Sequence, residues 1–125
     1  MNPPSSWFAD VKAWDETTGV DAGLELRVRV MKEEWEELQD ALALTDQIEI
    51  ADACADLIWT VLGLANHFGF PFDAIWGEVS RSNWTKVDEQ GNVLRRADGK
   101  ISKPPSFSPP DIAAILSTTE ASDGD

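Results

Sequence analysis

Residues 30–56 have the sequence "VMKEEWEELQDALALTDQIEIADACAD", and this stretch decides the fold. It contains an acidic helical pattern, a break at Thr45 and Asp46, and the start of a more apolar helical pattern. Two helices joined by so short a connection must pack side by side in antiparallel orientation. Asp46 is suited to cap the second helix, with Glu49 three residues later. The stretch therefore predicts a helical hairpin whose register is fixed by its turn.

The first helix of the hairpin, predicted over residues 24–44, has acids on two different sides. At about 100° per residue, Glu36 belongs to the charged side that faces solvent. Glu34 and Glu37 instead share a sector with apolar residues, and Glu33 lies at the border between the two. A separate apolar stripe is predicted to be the core face: Leu24, Val28, Met31, Trp35, Leu38 and Leu42.

The second helix, predicted over residues 46–67, is apolar around nearly its whole circumference, a pattern typical of a buried helix. Its polar residues lie on one narrow stripe: Glu49, Asp52, Asp56, Thr60 and His67. Antiparallel pairing about the turn sets Glu34 and Glu37 opposite Asp52 and Asp56. Partly buried carboxylates of like charge must be paired, protonated or bound to a metal ion.

Oxygen ligands on a rigid helical frame suit Mg²⁺ or Mn²⁺. The sequence offers one cysteine and one histidine, too few for a zinc cluster. A ferritin-like di-iron site would need Glu-x-x-His pairs, but Leu64 stands three residues before His67. Glu49 is an alternative ligand to Asp52, although its position also suits a capping box.

The rest of the chain predicts an all-α fold, a four-helix bundle with an extended C-terminal appendage. Turn signals at Gly91-Asn92 and Asp98-Gly99 indicate a β-hairpin or extended arm. A core of this size often completes itself by forming a homodimer or homotetramer. The predicted segments are helices at 6–17, 73–84 and 112–116, the arm at 86–110, a single domain over 1–116 and a disordered acidic tail at 117–125.

The chain of 125 residues carries 23 acidic and 10 basic side chains, a net charge of −13. Such a surface repels nucleic acid and anionic membranes, so neither is expected as a partner. The single cysteine, Cys54, allows no intramolecular disulfide and favours a reducing, cytoplasmic setting. No signal peptide is expected, and no stretch approaches the roughly 20 apolar residues of a membrane span.

The pattern Glu33-Glu34-x-x-Glu37, followed by the acidic helix "EIADACAD", resembles the all-α nucleoside triphosphate pyrophosphohydrolases. This superfamily includes MazG, phosphoribosyl-ATP pyrophosphohydrolases and dimeric dUTPases. Residues 68–116, which contain "RSNWTK", look like the tail of the short, often phage-borne MazG-like branch. The resemblance implies cleavage of a nucleoside triphosphate between its α- and β-phosphates with two or more Mg²⁺ or Mn²⁺ ions. It also implies a cytoplasmic location, that of the host if the protein is phage-encoded.

By the same resemblance, Glu34 and Glu37 are metal ligands together with Asp56 and a neighbouring acid, and Glu33 orients or deprotonates the attacking water. Many relatives have Glu-x-x-Asp in the second helix. Counting back from Asp56, that glutamate falls on Ala53, so the chain departs from the pattern. Asp52 is the natural substitute, because residues four apart share a helix face. The other interpretation takes Glu49-x-x-Asp52 as the motif.

The resemblance also suggests substrate contacts. Arg81, Asn83 and Lys86 are candidate phosphate ligands, and Trp14 and Trp84 are candidates for stacking on the base. Short phage-type relatives include enzymes that act on (d)GTP (the MazZ type), and the resemblance favours this substrate class. Two alternatives stay open, a dUTP- or phosphoribosyl-ATP-type pyrophosphatase on the same site and a non-catalytic acidic helical interaction protein.

Overall fold

The computed structural model describes residues 6–19 and 23–123. Within these ranges, the regular elements assigned are all helices. The prediction of an all-helical fold is confirmed. The chain divides into two compact units, Met1–Phe72 and Asp73–Asp125. The helices are α1 (Trp7–Thr18), α2 (Leu24–Leu44), α3 (Gln47–His67), α4 (Phe72–Trp84) and α5 (Ile112–Asp123).

Capping side chains set where two of the helices begin. The Ser6 hydroxyl accepts a hydrogen bond from the Ala9 backbone N–H at 2.9 Å, which starts α1. The Asp46 carboxylate accepts from the Glu49 N–H at 3.2 Å, which starts α3. Each cap satisfies a donor that the first turn of a helix leaves unpaired. The predicted cap at Asp46 is confirmed.

The turn between α2 and α3 is as tight as the sequence predicts. Thr45 adopts a left-handed conformation with φ of 52°, which is uncommon for a β-branched residue. Its N–H donates to the Leu42 carbonyl at 3.2 Å, and the Asp46 N–H donates to the Ala41 carbonyl at 3.3 Å. These bonds close α2 and turn the chain back, so that α3 packs along α2 and α1 packs on α3.

The buried core of the first unit lies between α1 and the C-terminal half of α3. Phe8 and Val11 of α1 pack with Leu62 and Ala65 of α3. The Phe8 ring also contacts that of Phe72, with ring centroids 5.7 Å apart. This cluster anchors α1 over the hairpin.

The predicted core face of α2 is wrong for the single chain. Leu24, Trp35 and Leu42 of that stripe are 44%, 49% and 51% exposed. The buried Ala41 and Ala53 instead mark the α2–α3 contact, because small side chains let two helices approach closely. Nor is α3 buried all round, since Ile48 is exposed and so is Cys54. Periodicity identifies apolar faces but does not tell which element covers each one.

A polar network joins the three helices of the first unit. Arg27 of α2 donates to the Gly63 carbonyl of α3 at 2.9 Å and to the Asp15 carboxylate of α1 at 3.2 Å. Asn66 donates to the same Asp15 oxygen at 2.8 Å. A Cβ at Gly63 would lie 2.7 Å from the Arg27 Nη1, so a larger residue at this position would displace the guanidinium. The network fixes α1 and α2 against the same part of α3.

In the second unit, Glu78 holds the segment before α5 against α4. Its carboxylate accepts two hydrogen bonds from Arg81, at 2.7 and 2.9 Å, and one from the Asp111 backbone N–H at 2.7 Å. The hydrogen bond from Arg81, helped by that from Asp111, lowers the pKa of Glu78 to about 2. Arg81 also donates to the Ser108 hydroxyl and to the Pro109 carbonyl.

The C-terminal part corrects two predictions. Instead of a β-hairpin, it contains a single antiparallel bridge between Arg95 and Ile101, and no strand is assigned among the described residues. Pro104 and Pro105 follow soon after and lack the N–H groups that a longer ladder needs. Furthermore, α5 spans Ile112–Asp123 and is longer than the predicted helix at 112–116, while 124–125 lie outside the described residues and the disordered tail stays a prediction.

The left-handed backbone conformation of Thr45 leads to a prediction about stability. Thr45→Gly should raise the free energy of unfolding by about 0.5–1 kcal/mol, because glycine adopts this conformation without a Cβ penalty. Thr45→Ala, which keeps a Cβ, is the control and should give no gain. Urea denaturation of the three proteins measures the difference. Equal stability of the glycine and alanine variants would contradict the account of the turn.

Candidate active site

Four carboxylates from α2 and α3 interact with one another inside the first unit. Burial is the main cause that raises the pKa of Glu34, followed by a side-chain hydrogen bond with Glu37. The negative charges of Glu37, Asp56 and Asp52 raise this pKa further. The structure therefore brings together the acids that the sequence predicted to converge.

The pKa of Asp56, which lies on α3, is raised by similar causes. Burial raises the pKa of Asp56 first, and the charges of Asp52 and Glu37 raise it further. A side-chain hydrogen bond with Asp52 acts in the same direction. Such a bond between two carboxyl groups needs a shared proton, so it favours the protonated form. No basic side chain is among the causes of the pKa shift of Glu34 or of Asp56, so none offsets the negative charge there.

One oxygen of this cluster has no partner at all. The Oε2 atom of Glu34 is buried and forms no hydrogen bond among the described residues. A buried carboxylate oxygen without a donor is costly, and native proteins retain few of them. A positively charged or hydrogen-donating group that reached this atom would therefore remove an energetic cost of the fold.

An acidic cavity of about 230 Å³ opens between α2 and α3 on the side of the four carboxylates nearer the hairpin turn. Glu37 and Asp52 belong to both the carboxylate cluster and the wall of this cavity. The remaining wall contains Asp40, Ala41, Leu44, Asp46, Glu49 and Ala53. Five of the eight lining side chains are acidic, so the cavity attracts cations.

The donor set fits a divalent cation in its chemistry. All donors are carboxylate oxygens, which Mg²⁺ and Mn²⁺ prefer, and Glu34 Oε2 is unpartnered. As the side chains stand, however, no three His, Cys, Asp or Glu groups in residues 6–19 and 23–123 are arranged to hold a metal ion. Closing such a site around an ion therefore requires side-chain rotation, which the open cavity beside Glu37 and Asp52 allows.

The other predicted acids lie at the edge of the cluster. Glu33 is exposed on α2, directly before Glu34. Glu49 is exposed too, and its backbone N–H takes part in the cap with Asp46. Glu49 nevertheless lines the acidic cavity beside Asp52, so both of its roles from the sequence are compatible with its position.

The predicted phosphate contacts lie in the second unit. Arg81 is engaged by Glu78, as described above, and Lys86 donates to the Asn83 side-chain oxygen at 3.1 Å. Lys86 also lies over the Phe107 ring, 5.9 Å from its centroid. Trp84, predicted to stack on a base, is 71% exposed.

A second, aromatic cavity of about 180 Å³ lies among α1, α2 and α3. Trp14 is in its wall, and its ring meets that of Trp59 edge to face, with centroids 6.3 Å apart. Trp14 is a candidate from the sequence, whereas Trp59 and Arg27 carry no such signal, because only the tertiary structure brings them into one cavity. The complete lining is Val11, Trp14, Asp15, Leu26, Arg27, Val30, Trp59, Thr60 and Gly63.

An all-helical fold with carboxylates on a helical hairpin is the arrangement expected of the all-α nucleotide pyrophosphohydrolases. The family model described as phosphoribosyl-ATP pyrophosphohydrolase matches residues 9–83, more than half of the chain. The chain therefore belongs to the phosphoribosyl-ATP pyrophosphohydrolase family, within the MazG-like all-α superfamily. No curated protein matched the chain. Membership indicates a pyrophosphohydrolase that acts on nucleotides.

No helix among the described residues is long and apolar enough to cross a membrane.

The raised pKa of Asp56 predicts that its charge destabilises the folded protein near neutral pH. Asp56→Asn should therefore unfold at a higher temperature than the wild type at pH 7. As pH falls through the raised pKa, Asp56 takes up a proton in the folded state first, so the difference between the two proteins should shrink. Thermal unfolding at pH 7 and near pH 4 measures it, without added metal.

Glu36→Gln is the control for loss of one negative charge on the exposed side of α2, and it should change the unfolding temperature little. An Asp56→Asn protein that is less stable than the wild type at pH 7 would contradict the repulsive cluster.

Proposed function

We propose that the protein is a metal-dependent nucleoside triphosphate pyrophosphohydrolase. It converts a (d)NTP and water into a (d)NMP and diphosphate by cleaving between the α- and β-phosphates, with (d)GTP as the favoured substrate. The observation that carries this proposal is the raised pKa of Glu34 and of Asp56, to which the charges of Glu37 and Asp52 contribute. Acids that raise one another's pKa inside a fold indicate a functional site, because stability alone selects against them.

The four carboxylates are the proposed ligands of Mg²⁺ or Mn²⁺, with two or more ions in the site. Bound divalent ions offset the acids, polarise phosphate oxygens and lower the pKa of water. Glu34 and Glu37 would hold the ions from α2, and Asp52 and Asp56 from α3. Glu49 stays the alternative to Asp52, since both line the acidic cavity.

Glu33 is the proposed general base. Its exposed carboxylate lies beside Glu34 in sequence, and it would accept the proton of the water whose oxygen attacks the α-phosphorus. Diphosphate leaves as the new bond between oxygen and phosphorus forms. Glu33 suits this task better than Glu34, because an exposed carboxylate can exchange its proton with solvent after each turnover.

The charges outside the cluster are the proposed means of attracting a polyphosphate to an acidic chain. Arg81, Asn83 and Lys86 are the proposed phosphate contacts. Because Glu78 neutralises Arg81 through a bidentate pair, Lys86 is expected to contribute most of the positive charge. Trp14, in the wall of the aromatic cavity, is favoured over Trp84 as the side chain that stacks on the base.

A dUTP- or phosphoribosyl-ATP-type activity on the same site is the second candidate, and the family match favours the latter. A non-catalytic acidic interaction protein is less well supported. That function needs acids that are spread over exposed faces, whereas Glu34 and Asp56 are half-buried and face each other across the hairpin.

We also propose a homodimer or homotetramer in the cytoplasm. The apolar stripe on α2 is about half exposed at Leu24, Trp35 and Leu42, and α3 exposes Ile48 and Ile58. Continuous apolar faces of this kind are rare on monomers. A second copy would cover them as it completed a four-helix core.

The activity is tested by incubating the protein with each NTP and dNTP, and with phosphoribosyl-ATP, in Mg²⁺ or Mn²⁺. The expected products are diphosphate and a monophosphate, with (d)GTP turned over fastest. Asp56→Asn and Glu37→Gln should each lower kcat by about 100-fold or more, because each removes a charged oxygen ligand. Glu36→Gln is the matched control and should keep full activity. Release of diphosphate from none of the nucleotides would overturn the proposal.

Assembly is tested by sedimentation of Trp35→Glu. A carboxylate in the middle of the apolar stripe should convert the oligomer into a monomer, because it would be buried unpaired at the interface. Gln39→Glu adds the same charge on the exposed polar side of α2 and should leave the oligomer intact. A wild-type protein that sediments as a monomer at all concentrations would contradict this part of the proposal.

A further inference from the structure

We propose that the second unit contains a binding site for a chain of phosphates, in which Lys86 and Lys103 share the ring of Phe107. The inference rests on the proposed function for the source of the ligand, which is the nucleotide substrate. It adds Lys103 as a phosphate contact. Two observations lead to it: both ammonium groups lie over one ring, and neither is paired with a carboxylate among the described residues.

Both lysines lie close to the same aromatic ring. The Nζ atom of Lys103 is 5.1 Å from the centroid of the Phe107 ring, and the Nζ atom of Lys86 is 5.9 Å from it. Both distances are within the roughly 6 Å of a cation–π contact. Two ammonium groups around one ring repel each other, because their separation is comparable to the Debye length of about 10 Å in 0.1 M salt. An anion that contacted both nitrogens would relieve this repulsion.

The protein does not neutralise either ammonium group. The ion pairs among the described residues involve arginine: Arg27 with Asp15, Arg81 with Glu78, and Arg96 with Asp98. Lys86 donates one hydrogen bond to the neutral side chain of Asn83, and its ammonium group has two further N–H donors. The chain has 23 acidic and 10 basic side chains, so carboxylates are abundant, yet none pairs with these two lysines. They therefore favour a ligand that brings its own negative charge.

A tight turn brings Lys103 back to the Phe107 ring. The Phe107 N–H donates to the Pro104 carbonyl at 2.9 Å and closes a β-turn. Pro105 occupies the second position of this turn, where the fixed φ of proline is favoured. Lys103 directly precedes the turn, and the ring lies at its end. The approach of the lysine to the ring is therefore set by local chain geometry.

Thr85 fixes Phe107 against the end of α4. The Thr85 hydroxyl accepts a hydrogen bond from the Ser108 N–H at 2.8 Å, and the Thr85 carbonyl accepts one from the Ser106 hydroxyl at 3.0 Å. Both chain neighbours of Phe107 are thus held by one residue, and Lys86 directly follows that residue. The distance between the ring and Lys86 is therefore fixed before any ligand binds, which lowers the entropic cost of binding.

The charge of this region indicates the class of ligand. Residues 81–103 contain six of the ten basic side chains and three acidic ones, so this part of an acidic chain attracts anions. Ammonium groups bind phosphate oxygens as point charges. A diphosphate or triphosphate has oxygens on neighbouring phosphorus atoms and can contact both nitrogens at once. A chain of phosphates is therefore favoured over a single orthophosphate.

Calorimetric titration with inorganic diphosphate, without metal, tests the site apart from the reaction. The wild type should bind diphosphate more tightly than orthophosphate. Lys103→Gln should weaken the binding of diphosphate about fivefold, the factor that one partly exposed ion pair contributes. Lys100→Gln removes the same charge from an exposed lysine that is not one of the two over the ring, so it is the matched control and should bind like the wild type.

No binding of diphosphate by the wild type would overturn the inference. Equal weakening in Lys103→Gln and Lys100→Gln would do so too, because it would mean that only the overall charge of the region matters.

Thr85 separates positioning from charge. Thr85→Val keeps every charge but removes the hydroxyl that holds Ser108, so it should weaken the binding of diphosphate about fivefold, the factor that one lost hydrogen bond gives. Thr85→Ser keeps the hydroxyl and should bind like the wild type. Wild-type affinity in Thr85→Val would overturn the role of Thr85 in positioning the site.

Steady-state kinetics connect the site with the substrate. Lys103→Gln should raise the KM of the favoured nucleotide about fivefold and weaken inhibition by diphosphate to the same extent, because both ligands use the same lysines. Lys103→Arg keeps the charge and should keep the wild-type KM. Weaker binding of diphosphate with an unchanged KM would indicate a site for free diphosphate and overturn its part in substrate binding.

The two proposals fail in different ways. Turnover of nucleotides with a wild-type KM in Lys103→Gln would overturn this part of the inference and leave the proposed function standing. Binding of diphosphate that depends on Lys103, in a protein that hydrolyses no nucleotide, would support the site and overturn the proposed function.

Discussion

The structure depends on the two-residue turn at Thr45 and Asp46. Because only Thr45 and Asp46 separate α2 from α3, residues at equal distances from Thr45 face each other along the hairpin. The rule pairs Glu34 with Asp56, Val30 with Thr60, and Arg27 with Gly63. The last pair is joined by a hydrogen bond of 2.9 Å from the Arg27 side chain to the Gly63 carbonyl, at the end of the hairpin far from the turn. One local constraint thus positions the carboxylates and both cavities.

The hairpin concentrates negative charge that the fold does not neutralise. Arg27, the basic residue closest to the interior of the hairpin, is paired with Asp15 rather than with the carboxylate cluster. Folding therefore leaves Glu34 and Asp56 with raised pKa values and leaves one Glu34 oxygen without a hydrogen bond to any described residue. The stability lost to this repulsion is what a divalent ion would restore on binding. The fold would tolerate these acids because a bound divalent ion would remove the repulsion between their charges.

Much of the fold could be predicted because its signals are local. The cap at Asp46 and the two-residue turn follow from short-range patterns, and so did the convergence of Glu34 and Glu37 with Asp52 and Asp56. The burial of the apolar faces could not be predicted, since periodicity does not tell whether α1, α3 or a second copy covers a stripe such as that of Trp35. Arg27 was missed for a related reason: its long side chain reaches Gly63 across the hairpin, and only tertiary structure shows this contact. The prediction of a β-hairpin was wrong, because turn signals mark reversals of the chain but do not ensure that the flanking segments pair as strands.

We propose that these four carboxylates bind a divalent cation. This proposal is tested most directly by thermal unfolding of the wild type and Asp56→Asn at pH 7 with increasing Mn²⁺ and no nucleotide. An ion that binds the folded state alone should raise the wild-type Tm by several degrees at saturation. The Asp56→Asn protein should begin at a higher Tm and gain little. An equal rise in both proteins, or none in the wild type, would contradict the claim.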